Sequence, residues 1–254
     1  MKGPAIGALL VLFFVFVPLE RLAALHRDQR IFRAGWFNDA VHFLVNNVLT
    51  QAGLIVTVGA FAVLLHWVVG GRFQAAVASQ PAWLQFAEAL VIVELGGYAG
   101  HRLCHRVPTL WRFHQIHHSI REMDWLAAAR LHPIDQIFTR TIAIVPLFVM
   151  GFTRETLGAY IALATLQAIF VHANVRLRFG PLRWLVNTPE FHHWHHAADA
   201  EARDRNFAPQ CPLTDLLFGT LYMPNGRMPT SYGVDAELPA TWPAQMVHPF
   251  RKNR

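Results

Sequence analysis

WLQFAEALVIVELGGYAGHRLCHRVPTLWRFHQIHH, residues 83–118, decides the fold: an apolar run to Gly100 passes without a break into a stretch carrying five histidines. The first half, Trp83 to Gly100, has about the length needed to cross a bilayer, roughly 20 predominantly apolar residues. The second half places His101 with His105, and His114 with His117 and His118, at spacings of three and four that share one face of a helix. His192, His195 and His196 repeat the pattern further along. Eleven of the fifteen histidines lie between positions 101 and 196, and these eight form three clusters, each placed to aim two or three imidazoles at one point. A metal is the natural object there, because stacked rings would repel if protonated and would lack partners if neutral and buried. Imidazoles without cysteine partners suit iron, zinc, copper or nickel, and eight exceed the usual four-coordinate zinc set, so the count points to two metals. His193, about 100° around a helix from His192, supports the site or faces outward. The lone His42, His66 and His248 read as packed, hydrogen-bonded side chains.

Composition places the chain in a membrane. Hydrophobic residues make up 54% and charged residues 15% of its 254 positions, with a mean hydropathy of +0.28. Further apolar segments run from Pro4 to Leu19 and from Leu49 to Val69. A closely spaced pair, Thr141 to Phe152 and Leu157 to Val171, reads as a helical hairpin dipping into the bilayer, with Gly151 and Arg154 near its tip. The first run has only Lys2 before it, no small-residue cleavage site after it, and Pro18, Glu20 and Arg21 at its end, which reads as a retained anchor, not a signal peptide. No linker divides the chain, so a single domain is expected, with 1–87 as N-terminal anchor helices, 88–223 as the catalytic region and 224–254 as a C-terminal tail. The expected fold is all-α: polytopic membrane helices with a cytoplasmic, histidine-rich helical cap.

Charge sets the orientation. Of the basic residues, Lys2, Arg72 and Arg154 fall on one side, Arg140 at a membrane boundary, and the other eighteen on the side of the histidines. The positive-inside rule therefore puts the histidines in the cytoplasm and accounts for the net charge of +6 without nucleic acid. Cys104 and Cys211 form neither a zinc-type pair nor a disulfide framework.

The three boxes, His101-Arg-Leu-Cys-His105, His114-Gln-Ile-His-His118 and His192-His-Trp-His-His196, resemble those of the fatty acid hydroxylase and sterol desaturase superfamily of integral-membrane di-iron enzymes. Arg130 to Asp135, Val171 to Asn174 and Asp215 to Thr220 look like segments of its bacterial members, and the resemblance covers about Glu88 to Met223. It implies two irons, with zinc as a substitute in purified protein, held by His101, His105, His114, His117, His118, His172, His192, His195 and His196. It also implies O2 as oxidant, a lipid substrate, a ferredoxin or cytochrome b5 type electron donor, and a bacterial inner membrane as location. Two departures stand out: Asn206-Phe207-Ala208 replaces a frequent Asn-Tyr-Gly, and Arg176 stands where some fatty acid 2-hydroxylases carry a second histidine.

Three further residues are candidates to support the ligands: His132, Glu94 and Asn174. His132, followed by Pro133 and Asp135, either serves the centre or opens a helix with a local hydrogen bond. Glu94 lies seven residues before His101, with Tyr98 on the same helix side, and either accepts a histidine N–H or reaches the interface. Gly96 and Gly100 read as a helix-packing pair, and Asp215 either orients a ligand or caps the turn at 216–218. No nicotinamide or flavin site is expected, since residues 96–100 are not a strand-to-helix glycine turn. A membrane zinc hydrolase would want a His-Glu-x-x-His helix, which is absent, and a metal carrier would want polar residues across the whole bilayer. The expectation is hydroxylation of an unactivated C–H bond in a fatty acyl or sterol-like lipid. Desaturation, which begins with the same hydrogen abstraction, and a non-redox zinc-binding protein are the alternatives.

Overall fold

The computed structural model describes residues 3–65 and 68–251, so His66 and Lys2 lie outside the described residues. Among these, helices α1 (Gly3–Leu22), α2 (Trp36–Val41), α3 (Asn47–Leu65), α4 (Gly71–Ala78), α5 (Ala82–Arg106) and α6 (Pro108–His118) precede α7 (Pro133–Met150) and α8 (Arg154–His172). Three short helices follow, α9 (Pro189–His195), α10 (Leu213–Leu217) and α11 (Trp242–Val247). Extended pairing among the described residues is confined to two isolated bridges, Ala24 with Val175 and Ala197 with Tyr232. The protein is all-helical, as its sequence pattern predicts.

Among the described residues, three stretches are long and apolar enough to cross a membrane: Ala5–Leu22, Trp36–Leu65 and Pro133–Met150; α4 and α5 form a further candidate, bent by 115°. Their outer faces carry large apolar side chains in the open, Phe14 at 71% and Ile55 at 74% exposure, a liability in water and the ordinary surface of a helix in lipid. Boundaries differ from the sequence reading. The second stretch starts at Trp36 instead of Leu49, because a π-helical turn, His42–Asn46, joins α2 to α3 without a break. Polar Asn46 and His42 hide this continuity in the sequence; both are buried, with Asn46 Nδ2 donating to Leu131 O and His42 Nε2 donating to Gln245 Oε1 at 2.6 Å. Likewise α7 starts at Pro133, before Thr141, and α1 runs through Pro18 and Glu20 to Leu22.

Close helix packing sets the frame for the site. At Gly96 an added Cβ would lie 3.0 Å from both Ala143 Cα and Ile142 O, so α5 and α7 touch backbone to backbone there. Ala89, Val93, Leu147, Leu157 and Tyr160 close the core around that crossing. Gly151, at φ 88°, ends α7 in the left-handed conformation, and Thr153 caps α8 by accepting from Thr156 N. At the other end of α5, Pro108 has no N–H for the helical ladder, so the chain breaks at Val107 and α6 turns back across α5.

Candidate metal centre

Four elements converge on one polar focus. The end of α5 carries His101 and His105; α6 carries His114, His117 and His118; His172 is the last residue of α8; and α9 carries His192 and His195, with His196 at its C-cap. Thr188 opens α9 by accepting from Phe191 N, and Pro189 fixes its first turn. The nine rings sort into two groups whose donor atoms lie within 4.8 Å of one another: His101, His105, His114, His118 and His195, and then His117, His172, His192 and His196. The groups abut, with the rings of His118 and His196 stacked at 4.5 Å.

Each cluster aims two imidazoles at one group, and the sorting corrects only the expectation that a three-ring cluster could aim all three. The pairs four apart, 101/105, 114/118 and 192/196, each stay in one group, whereas His117 and His195, three beyond the first residue of their clusters, join the opposite group. Rotation explains the split: a step of four on a helix turns the side chain about +40° and a step of three about −60°.

Hydrogen bonds fix the protons. A carbonyl oxygen only accepts, so Nδ1–H donates from His101 to Phe207 O at 2.9 Å, from His117 to Arg130 O at 3.1 Å, from His172 to Ala168 O at 2.7 Å and from His195 to Arg205 O at 2.7 Å. His114 Nδ1 sits 3.0 Å from Asp135 Oδ2 and His105 Nδ1 3.2 Å from Asp204 Oδ1. Burial, then the neighbouring rings, hold His117, His118, His192 and His196 well below the ordinary histidine pKa, and burial with His101 nearby does the same for His195. Neutral His117 and His172 with protonated Nδ1 must both present bare Nε2 lone pairs, and these face each other at 3.2 Å. Two lone pairs cannot hydrogen-bond; a cation between them turns the repulsion into ligation. Nε2 of His105 and of His195 are buried without any hydrogen-bond partner, a deficit that a bound metal would also satisfy. The donor set, all imidazole, fits a borderline transition metal in each group.

The comparison with known sequences bears on the same region. The fatty acid hydroxylase family model matches residues 86–220, which include all nine rings. The chain belongs to the fatty acid hydroxylase family. It is 31% identical over 235 residues to the ornithine lipid hydroxylase OlsE of Rhizobium tropici, covering 86% of this chain and 67% of that protein. Alkylglycerol monooxygenase of Homo sapiens is 30% identical over 140 residues, 55% of this chain and 31% of its own length. A very-long-chain aldehyde decarbonylase of Oryza sativa subsp. indica is 31% identical over 156 residues, 56% of this chain and 24% of its own length. This chain therefore spans less than a third of the latter two relatives. No solved structure matches. With its apolar helices, this fatty acid hydroxylase family member is an integral membrane protein.

Within the family frame, the residues around the rings take definite places. Asp215 accepts from Phe207 N at 2.8 Å and Ala208 N at 2.7 Å, turning Phe207 O toward His101; it lies inside α10 and does not cap the turn after it. Asn206, at φ 60°, donates through Nδ2 to Phe191 O and Tyr222 O, so the Asn206-Phe207-Ala208 variant of the turn is a buried brace. Glu94 differs from expectation: it accepts from Gln210 N at 2.9 Å and Cys211 N at 3.3 Å, so the backbone leading into α10, and no histidine, takes up its carboxylate. His132 caps α7, accepting from Ile134 N at 3.1 Å while its Nε2 donates to Met246 O, and it stands outside both groups of rings. Asn174 clamps the loop after α1, holding His26 N and His26 O, and does not touch a box ring. His193 supports the site from behind: it is fully buried, donates to Ala173 O at 3.1 Å and accepts from Tyr232 Oη at 2.8 Å. His42 is hydrogen-bonded inside the packing, and His248 lies beside Gln115 at the tail.

A buried ion network went unread in the sequence. Asp39 accepts from Arg130 Nε at 2.5 Å and from Arg33 at 2.7 Å, and Arg33 also reaches Asp124 at 2.6 Å. Because the Arg130 carbonyl is the acceptor for His117, the segment before residue 88 is tied to the centre. Arg33, one of the basic residues on the histidine side, is buried.

Proposed function

We propose that this protein hydroxylates an unactivated C–H bond of a lipid as a di-iron, O2-dependent enzyme. The observation that carries the reading is the pair of abutting all-histidine groups, five and four rings, with bare Nε2 atoms facing inward. His101, His105, His114, His118 and His195 would hold one iron, and His117, His172, His192 and His196 the other. Iron bound in this way supplies two-electron activation of O2 and abstraction of a hydrogen atom from carbon. The chain's own part is to fix the rings through Phe207 O, Arg130 O, Ala168 O, Arg205 O and the Asp135 carboxylate, and to bury them away from bulk water. Lipid hydroxylation is favoured by relatives named as an ornithine lipid hydroxylase and an alkylglycerol monooxygenase, and by a site at the end of membrane helices where a lipid arrives laterally. Electrons come from a separate protein of ferredoxin or cytochrome b5 type. The excess of basic residues on the histidine side favours, by the positive-inside rule, a reading in which the centre faces the cytoplasm from a bacterial inner membrane, within one domain.

The test is a metal count with Mössbauer spectroscopy on protein grown in iron-57 medium, followed by mass spectrometry of lipids after reduction under 18O2. Two coupled irons per chain and one 18O atom in a lipid product are expected. Zinc alone, with neither iron nor activity restored by reconstitution, overturns the proposal in favour of a non-redox metal protein.

A further inference from the structure

Two surface segments outside the candidate spans are apolar where water would be expected. In the turn at Gly180–Trp184 and just beyond it, Leu182, Leu185 (52% exposed) and Val186 point outward; on α10 and after it, Leu216, Leu217 (77% exposed) and Phe218 do the same. The two segments are neighbours. Asn187 N donates to Gln210 O at 2.6 Å, and Asn187 Nδ2 donates to Ala208 O and Pro209 O, pinning the end of the first segment to the residues that lead into α10. Both abut long helices: the Phe218 ring stacks at 4.9 Å on Tyr98 of α5, part of the bent candidate span, and Gln167 of α8 reaches Asn187 O. The outer sides of those helices are apolar as well, with Leu95 and Leu166 exposed.

We propose that these segments form one face seated in the head-group layer of the bilayer, so that the histidine centre is held against lipid and not raised into water. Charge agrees with that occupant. Arg176 and Arg178 are exposed next to the first segment and Arg102 lies over Tyr98 beside Phe218, while Arg183, over the Trp184 ring at 5.3 Å, is paired with Glu190 at 2.9 Å. Arginines rimming an apolar face, with the partly exposed Trp184 at their level, match the anionic lipid surface and the amphipathic depth of an interface. A second copy of the chain is a poorer occupant, because a two-fold contact would bring one arginine rim against another. The proposal rests on the membrane helices alone and is independent of which metal the histidines hold.

The experiment places bimane on single introduced cysteines, Leu185→Cys, Leu217→Cys and Glu237→Cys, in a Cys211→Ser background of the full chain in nanodiscs containing anionic lipid. Cys104 is buried in α5, and labelling of the background alone gives the blank. Lipids brominated in the acyl chain should quench the labels at 185 and 217 at least twofold, while the label at Glu237, exposed in the C-terminal segment, stays unquenched. Equal quenching at all three positions, or none at 185 and 217, overturns the proposal. Blue-shifted but unquenched emission at 185 and 217 also overturns it, since it means that a second copy covers the face.

Discussion

Each ring at the centre owes its usefulness to where its proton sits, and Asp135 is the charged residue that controls this for His114. Cys104 Sγ donates to the other Asp135 oxygen at 3.4 Å, so the carboxylate is fixed on both sides. Replacing it by Asn keeps the shape but removes the charge that favours Nδ1–H on His114. Asp135→Asn is expected to weaken metal affinity of the five-ring group about 10- to 100-fold, the usual effect of losing such a partner, with the four-ring group unaffected. A chelator titration followed by metal analysis checks this; equal loss from both groups would show that Asp135 acts on the fold. His117→Ala, which removes one of four donors, is expected to lower bound iron from two to one per chain. Two irons retained in that variant would exclude His117 as a ligand. That each cluster would aim two imidazoles at one point was legible, because residues four apart stay on one side of a helix. The split into five and four was not, because it depends on how α5, α6, α8 and α9 cross, and the backbone carbonyls that orient the rings leave no mark in residue type. Glu94 misled for a related reason: its helix face was readable, but the strand of backbone lying against it was not.

For the helices, packing gives a sharper test than propensity. Gly96 meets the backbone of α7, while Gly59 on α3 has nothing within 4 Å of an added Cβ. Ala gains roughly 0.5–1 kcal/mol over Gly in a helix interior, so Gly59→Ala should be neutral or slightly stabilising. Gly96→Ala, in contrast, is expected to lower stability by about 1–3 kcal/mol through overpacking against atoms that belong to backbone and do not yield. Unfolding of both variants side by side in one detergent decides it, and equal stabilities would mean that α5 and α7 are free to part. The glycine pair was readable as a packing device from its four-residue spacing. Span limits were less so: hydropathy locates the apolar middle of a helix, but the polar ends of the Trp36–Leu65 and Pro133–Met150 stretches are buried against other parts of the chain and still helical.

Across the whole molecule, the N-terminal segment is more than an anchor, since Asp39 neutralises both Arg130, whose carbonyl holds His117, and Arg33. Asp39→Ala leaves two buried cations short of a partner, and a loss of about 3–5 kcal/mol is expected, together with weaker metal binding in the four-ring group. If stability falls and the metal count does not, the network serves the fold alone. Acid provides the last test. In the metal-free protein, the depressed pKa values of His117, His118, His192, His195 and His196 keep these rings neutral, whereas the unfolded chain takes up their protons near pH 6.5. Below that pH the unfolded state therefore binds more protons, and stability rises with pH and falls on acidification, by up to about 1.4 kcal/mol per pH unit for each ring. The Tm of metal-free protein should drop steeply from about pH 7.5 to about pH 5.5, and iron should flatten the upper part of that decline by competing with protons for Nε2. A Tm independent of pH across this range, with or without metal, would mean that the rings are protonated or solvated in the folded protein, and the argument from facing lone pairs would fail with it.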